Sequence, residues 1–562
     1  MRKKHFLFAS VLALLCGSST LHAQDFKLTS SGYFKNQGVD VMAFDDIYPE
    51  GHQGGVCIIM NGHRVATNGD IRLEATPGQW QPVPKQLDRK LGDNSITATL
   101  CYPDSSRHLT GFNPMIYPDL HLIYTVNVES KGKNIEVTVD LDRPIPQEFI
   151  GKVGFNLEFF PGSLFGKPWI MDGQSGIFPQ QPNSPLMTTQ PNYLHTGNYH
   201  DGKKSLADMD KLIGKGYSPI VADDIISEPY AKGTKFTSRP DDPYNKVTIE
   251  SLSGDLQLFD GRMNHNNGWF VLRSNIKPGV TKGAVKWIIT PNVVADWMYQ
   301  PVIQTSQIGY HPTQDKEAVI EMDIRDNRKE TAQIIRIDAD GEKVVKNVTP
   351  ANWGKFLRYN YLKVNFTDVK EPGLYKIKYN TSVSPIFRID NDVYARGVWQ
   401  PVLEYFLPVQ MCHMRVNEKY RVWHDCCHMD DAQMAPAHNH IDGYDQKEGL
   451  SKFKPGEVVP GVNIGGWHDA GDFDLRIESQ AGESYILALA YEAFHPNLDV
   501  TSIDQINRVT EIHQPDGKND LLQQVENGAL TVVNGYLALR RLYRGIICND
   551  LRQYVLLGDA AA

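Results

Sequence analysis

Excess positive charge is the first thing this chain lacks. Its net charge is -9 with a pI near 6.1, and no polybasic face is evident. Nucleic acid and anionic membrane surfaces are therefore poor partners, and a neutral or weakly charged ligand fits better. Long hydrophobic runs are equally scarce, and none reaches the roughly 20 apolar residues of a membrane helix. Cysteine is sparse: seven residues in a chain of 562 do not make a disulfide scaffold. Low-complexity tracts and strong internal repeats are missing too. What is left has an ordinary globular composition, 41% hydrophobic and 22% charged. The length is too great for one core, so roughly two to four domains are expected.

The N-terminus is a targeting segment. Met1-Arg2-Lys3-Lys4-His5 is a basic n-region, and Phe6 to Cys16 is an apolar run too short to span a bilayer. Leu21-His22-Ala23 then offers a small residue before Gln24. Residues 1–23 read as a secretory signal peptide, which implies a periplasmic or extracellular protein. A lipoprotein anchor at Cys16 is the alternative, and bulky Leu15 argues against it.

Residues 24–298 carry short alternating runs among many Gly, Pro, Asn and Asp. Leu122, Tyr124, Val126 and Val128 alternate with other residues, as do Ile135, Val137, Val139 and Leu141. Lys131-Gly132-Lys133-Asn134 supplies the turn between them. This is the period of half-buried strands, and it predicts a large β-sandwich-like domain of unknown role. Its Trp169, Trp269 and Trp287 read as core rather than as a sugar platform. Residues 299–390 predict a second all-β unit, with a strand over Ala318 to Met322 and another through Tyr375, Ile377 and Tyr379. Its length is that of an immunoglobulin-like sandwich.

After about Tyr394 the texture becomes helical. Trp399, Val402, Leu403, Phe406 and Leu407 recur at helical spacing, and Tyr485 to Phe494 is a short apolar helix. Asn519-Asp520 reads as an N-cap before an amphipathic helix that runs through Leu521, Val525, Leu530, Val533 and Leu537.

The chemistry lies in this last segment. Gly465-Gly466-Trp467-His468-Asp469-Ala470-Gly471-Asp472 sets two carboxylates three residues apart among small residues. Glycoside hydrolysis needs one carboxyl to protonate the leaving oxygen and one to activate water or attack the sugar. Two aspartates this close are poorly placed to stand on opposite sides of a scissile bond. Both are better suited to a water, one as general base and one as its holder. The acid then comes from elsewhere. A second constellation joins Cys412, Cys426, Cys427 and His428 with the distant His468. On spacing alone, zinc, buried thiols and a disulfide from Cys412 to Cys426 or Cys427 all stand open. Asp430-Asp431 has the type of side chain that binds calcium, though such pairs are usually solvated.

The octapeptide matches the aspartate motif of glycoside hydrolase family 9 at nearly every position. The run Gln307-Ile308-Gly309-Tyr310-His311-Pro312, followed by a lysine and an apolar strand, resembles the start of the immunoglobulin-like domain that precedes many of its catalytic domains. The resemblance implies an inverting hydrolase of β-1,4-linked glucan, with Asp472 as base and Asp469 as its partner on the nucleophilic water. It implies that residues 391–562 form the first part of an (α/α)6 barrel. It also implies a structural zinc at Cys412, Cys427, His428 and His468, and it leaves calcium as a lesser prospect. Phe473-Asp474-Leu475-Arg476 after the second aspartate departs from the family's usual Lys or Arg and aromatic. The family's general acid, a Glu, has no counterpart here, so the chain reads as truncated within the catalytic domain and inactive alone. The alternative is a secreted carbohydrate-binding or scaffolding protein with a vestigial catalytic segment. A third reading is a metal-dependent hydrolase built on Cys427, His428 and His468. The glucan itself is open, from cellulose to mixed-linkage glucan, xyloglucan and cellodextrins.

Overall fold

The structure, a computed structural model, describes residues 25–45, 55–74, 77, 84–102, 120, 122–183, 186–188, 225–263, 268–356, 358–437, 440–441, 444–445, 447–469, 474–549 and 552–556. The expected signal peptide, Cys16, Asp472 and the side chain of Cys548 lie outside that set.

Two nine-stranded sheets make the first unit. The hairpin read from sequence forms as strands Ile123–Lys131 and Asn134–Leu141, paired from Tyr124↔Leu141 to Lys131↔Asn134. Tyr124, Val126 and Val128 point into one core with Val137, Val139 and Leu141. The facing sheet supplies Ile71, Phe155, Leu157 and Leu272 to the same core. Trp287 is fully buried and meets Phe155 edge to face at 4.9 Å, its indole N–H donating to Ser274 Oγ at 3.0 Å. Trp169 is buried as well, and half-buried Trp269 packs edge-on against Phe160. Trp169 and Trp287 are core residues.

The second unit pairs a four-stranded with a five-stranded sheet. Ile320, Met322, Leu362 and Val364 of the first meet Ile334, Tyr375, Ile377 and Tyr379 of the second. The Gln307–Pro312 run is structural. Tyr310 is buried, with its hydroxyl accepting from Ser306 N–H at 2.9 Å, and the Lys316 ammonium donates to the carbonyls of Pro312 and Gln314. A buried ammonium needs such acceptors, so the lysine belongs to this turn.

The (α/α)6 barrel that the resemblance implies is not confirmed in the last segment. Among the described residues it has two long helices, α1 (Ile477–Phe494) and α2 (Asp520–Leu539), which pack on each other, together with short strands. One helix pair does not establish an (α/α)6 barrel. The stretch around Trp399–Leu407 forms only a short helical segment, Val402–Phe406 continued by Leu407–Val409. Helix α1 starts eight residues before the apolar run at Tyr485, because its first two turns carry polar contacts rather than an apolar stripe. The N-cap of α2 is as expected, with Asn519 Oδ1 accepting from Leu521 N–H at 3.1 Å. Tyr485, Ile486 and Phe494 on α1 and Val533 and Leu537 on α2 stay exposed. No helix among the described residues is long and apolar enough to cross a membrane.

Candidate active-site loop and metal centre

The loop before Asp469 is clamped by both helices. Gly466 N–H donates to the Asn527 carbonyl at 2.7 Å, and Asn527 Nδ2 donates back to the Gly466 carbonyl at 3.2 Å. Gln480 of α1 accepts from Trp467 N–H and donates to its carbonyl, both at 2.9 Å. Gln524 of α2 accepts from the Trp467 indole at 2.9 Å. Gly465 has φ +78, and a Cβ there would lie 2.3 Å from the Asn527 carbonyl oxygen. Gly528 leaves room for the buried Trp467 ring, whose nearest atom would be 2.4 Å from a Cβ. Both glycines therefore serve close approach. The result is an exposed Asp469 next to a buried His468, with Asp469 N–H donating to the Asp474 carbonyl at 2.6 Å. Glu483 of α1 sits within electrostatic reach of Asp469. Partial burial, and then the charge of Asp469, raises its carboxyl above the ordinary value.

Behind the loop, Cys412 Sγ, Cys427 Sγ and a ring nitrogen of His428 lie within 4.8 Å of one another. His428 Nδ1 is 3.1 Å from Cys427 Sγ, and Cys427 N–H donates to the Cys412 carbonyl at 2.8 Å. Both thiols are free rather than bridged, and Cys426 turns away to the Arg508 carbonyl. Burial and the neighbouring Cys427 thiol push the Cys412 thiol well up.

The fourth expected ligand, His468, belongs to a second, adjoining group. Its ring stacks on that of His428 with centroids 5.6 Å apart. Its Nε2 lies 3.1 Å from Asp431 Oδ2, which also takes His413 Nε2 at 2.7 Å. Hydrogen bonds from the two imidazoles hold Asp431 below the usual carboxylate range despite its burial. An ionised carboxylate only accepts, so both rings carry their proton on Nε2. Nδ1 of His468 is then a bare lone pair, buried and without a hydrogen-bond partner. Burial also holds this imidazole neutral, at about 4.

His413 and Asp431 were not among the residues singled out as site candidates from sequence. They lie 18 residues apart, and Asp431 lies 37 from His468, so no local motif joins them. Of the Asp430-Asp431 pair, Asp431 is fully buried on two histidines, while Asp430 is exposed.

Comparison with known proteins places the middle of the chain. Residues 298–384 match the cellulase N-terminal Ig-like domain. No curated protein matches the chain significantly. Solved structures similar to it include a metagenome-derived glycoside hydrolase family 9 endoglucanase, at 22% identity and TM-score 0.29 over 46% of each chain. The Bacteroides ovatus family 9 protein is 18% identical, with TM-score 0.33 over 46% of this chain and 45% of that one. A zinc-binding triple mutant of the family 9 endoglucanase J30 is 22% identical, with TM-score 0.31 over 42% and 40%. The chain spans less than half the length of each of these. Superpositions this loose place no individual residue. What the family match shows is a cellulase-type immunoglobulin-like domain at residues 298–384.

Proposed function

We propose that residues 391–562 carry the water-activating side of an inverting β-1,4-glucan hydrolase. The supporting observation is the clamped Gly465–Asp469 loop, which offers Asp469 to solvent from a backbone held by Gln480, Gln524 and Asn527. Asp472 is the general base and takes the proton of the attacking water. Asp469 holds that water, and its negative charge keeps the base's proton affinity up. The water oxygen bonds to the anomeric carbon as the bond to the leaving group breaks. A carboxyl on the far side of the sugar protonates a glycosidic leaving oxygen.

Cys412, Cys427, His428 and His468 hold a structural zinc in this reading. The donor set is two thiols and two imidazoles, and the orphaned Nδ1 of His468 is the observation that fits it. Asp431 fixes the tautomer and orientation of His468, as outer carboxylates do for metal-bound histidines. When bound, the metal supplies no catalytic chemistry; it ties the backbone just before Asp469 to the loop at 427–428.

A fluoride leaving group needs little protonation, so β-cellobiosyl fluoride isolates the base side. The purified protein is expected to release fluoride from it. Asp472→Asn and Asp469→Asn are each expected to slow release by about 10²-fold or more. Release that is absent, or unchanged in both variants, overturns the assignment.

A further inference from the structure

A cavity of about 440 Å³, open to solvent, lies where the sandwich unit meets the second unit. That is the size range of small-molecule sites, which favour such junctions. One wall is a cross-strand row at the edge of the first sheet. Lys35 is the register neighbour of both Lys27 and Asp40, and Asp40 that of Ile59. The stretch between the units supplies Trp297 and Tyr299, whose rings press on Gly38 and Gly62; a Cβ there would lie 2.7 Å from Trp297 and 2.8 Å from Tyr299. The second unit adds Arg358 and Tyr359, beside an Asp323–Arg325 pair already closed by two hydrogen bonds of 2.7 Å.

Asp40 is the unusual member of this lining. It is only 6% exposed, yet among the described residues nothing hydrogen-bonds its carboxylate. The Arg358 guanidinium comes no closer than 3.6 Å, beyond hydrogen-bond reach. A buried acceptor left unmet is costly, and a hydroxyl in the cavity is the kind of group that meets it. The aromatic side of the cavity continues outward as a ribbon. Tyr299, Tyr359 and Tyr361 follow one another with ring centroids 5.1 and 6.2 Å apart, and Trp353 meets Tyr361 at 5.6 Å. Glu321 accepts from the Tyr299 and Tyr361 hydroxyls at 2.8 and 3.0 Å, which fixes those two rings. Tyr359 and Tyr361 stand on the face of their sheet opposite the core residues Leu362 and Val364. Trp353, at the end of the ribbon, is 56% exposed.

We infer that the cavity and this ribbon bind a neutral oligosaccharide, its end unit seated on Asp40 and its chain running out to Trp353. A pyranose has an apolar C–H face to lie on aromatic rings. Its hydroxyls donate to a carboxylate and accept from an ammonium or guanidinium. Lys27, Lys35 and Arg358 share the lining with Asp25 and Asp40, so no field of one sign draws a charged ligand. Successive rings of the ribbon are tilted by 57° to 88°, which suits a single chain rather than a flat crystalline surface. None of these residues belongs to the segment 391–562. Only the choice of a β-1,4-glucan probe rests on the hydrolase reading above.

The experiment is calorimetric titration of the full chain with cellotetraose, cellobiose and inorganic phosphate. Cellotetraose is expected to bind more tightly than cellobiose. Asp40→Ala is expected to weaken both sugars by about tenfold or more. Trp353→Ala is expected to abolish the preference for the longer sugar. Its ring is exposed, so this variant is read even where Asp40→Ala fails to fold. Neither substitution is expected to change fluoride release from β-cellobiosyl fluoride. No sugar binding, affinities indifferent to both substitutions, or preference for phosphate overturns the site. Sugar binding of this pattern without fluoride release defeats the hydrolase reading alone, and fluoride release without this pattern defeats the site alone.

Discussion

Asp431 and Arg72 are both buried charges, and their surroundings treat them in opposite ways. Asp431 Oδ2 accepts a hydrogen bond from each of two imidazoles, at 2.7 and 3.1 Å. Arg72 sits between two carboxylates and hydrogen-bonds neither. The first arrangement is closed at Oδ2, which holds His413 and His468 in place, while Oδ1 is buried without a partner. The second is open at Arg72 Nε, which is buried without a hydrogen-bond partner. A buried charge thus positions its neighbours only through the atoms that hydrogen-bond them.

The largest effect is expected at the closed site. Asp431→Ala leaves two buried imidazoles without their shared acceptor, and about 2–5 kcal/mol of stability should go with it. Zinc affinity, followed by metal analysis during chelator competition, should fall by about 10–100-fold. Wild-type stability and unchanged metal content in this variant would erase the contrast with Arg72.

Next comes the loop between the two regions' claims. Gly465→Ala must place a Cβ against the Asn527 carbonyl at positive φ, so a loss of roughly 2–3 kcal/mol is expected in denaturant unfolding. A neutral result would mean that the clamp is looser than drawn.

The surroundings of Arg72 have a pH signature. Burial raises Asp70 from its ordinary 3.8 to about 6 and Glu74 from 4.5 to about 7. Each binds its proton more tightly folded than unfolded. The stability they confer is complete below the unfolded values and is lost as pH rises through about 6 and about 7. Glu74→Gln should flatten that decline by on the order of 2 kcal/mol between about pH 5 and about pH 8. An unchanged slope would show that Glu74 ionises freely.

The smallest effect belongs to neither site. Asn519→Ala removes the cap of α2 and should cost about 1 kcal/mol by thermal unfolding.

What the sequence showed and hid follows from the range of its signals. The Ile123–Leu141 hairpin and the Asn519 cap are local, and both were legible as period and as a capping residue. Gln480 holds Trp467 from thirteen residues away, and Asp431 holds His468 from 37; neither distance leaves a pattern in one sequence. Asn68, Asp70 and Arg72 are a different case. Polar residues at every second position look like the wet face of a strand, and His63–Leu73 does alternate in that way at its end. The structure buries that face, which periodicity has no means to report. Cys412, Cys427 and His428 were foreseen and do converge. His468 was foreseen as their companion, and it arrives as a stacked ring whose Nε2 Asp431 has taken and whose Nδ1 is bare.

The proposed chemistry requires that the aspartate loop activate water. The most direct measurement is the proton NMR spectrum of the first product from β-cellobiosyl fluoride, taken before mutarotation. Attack by a water held at Asp469 and Asp472 predicts α-cellobiose. β-Cellobiose as the first product would contradict it.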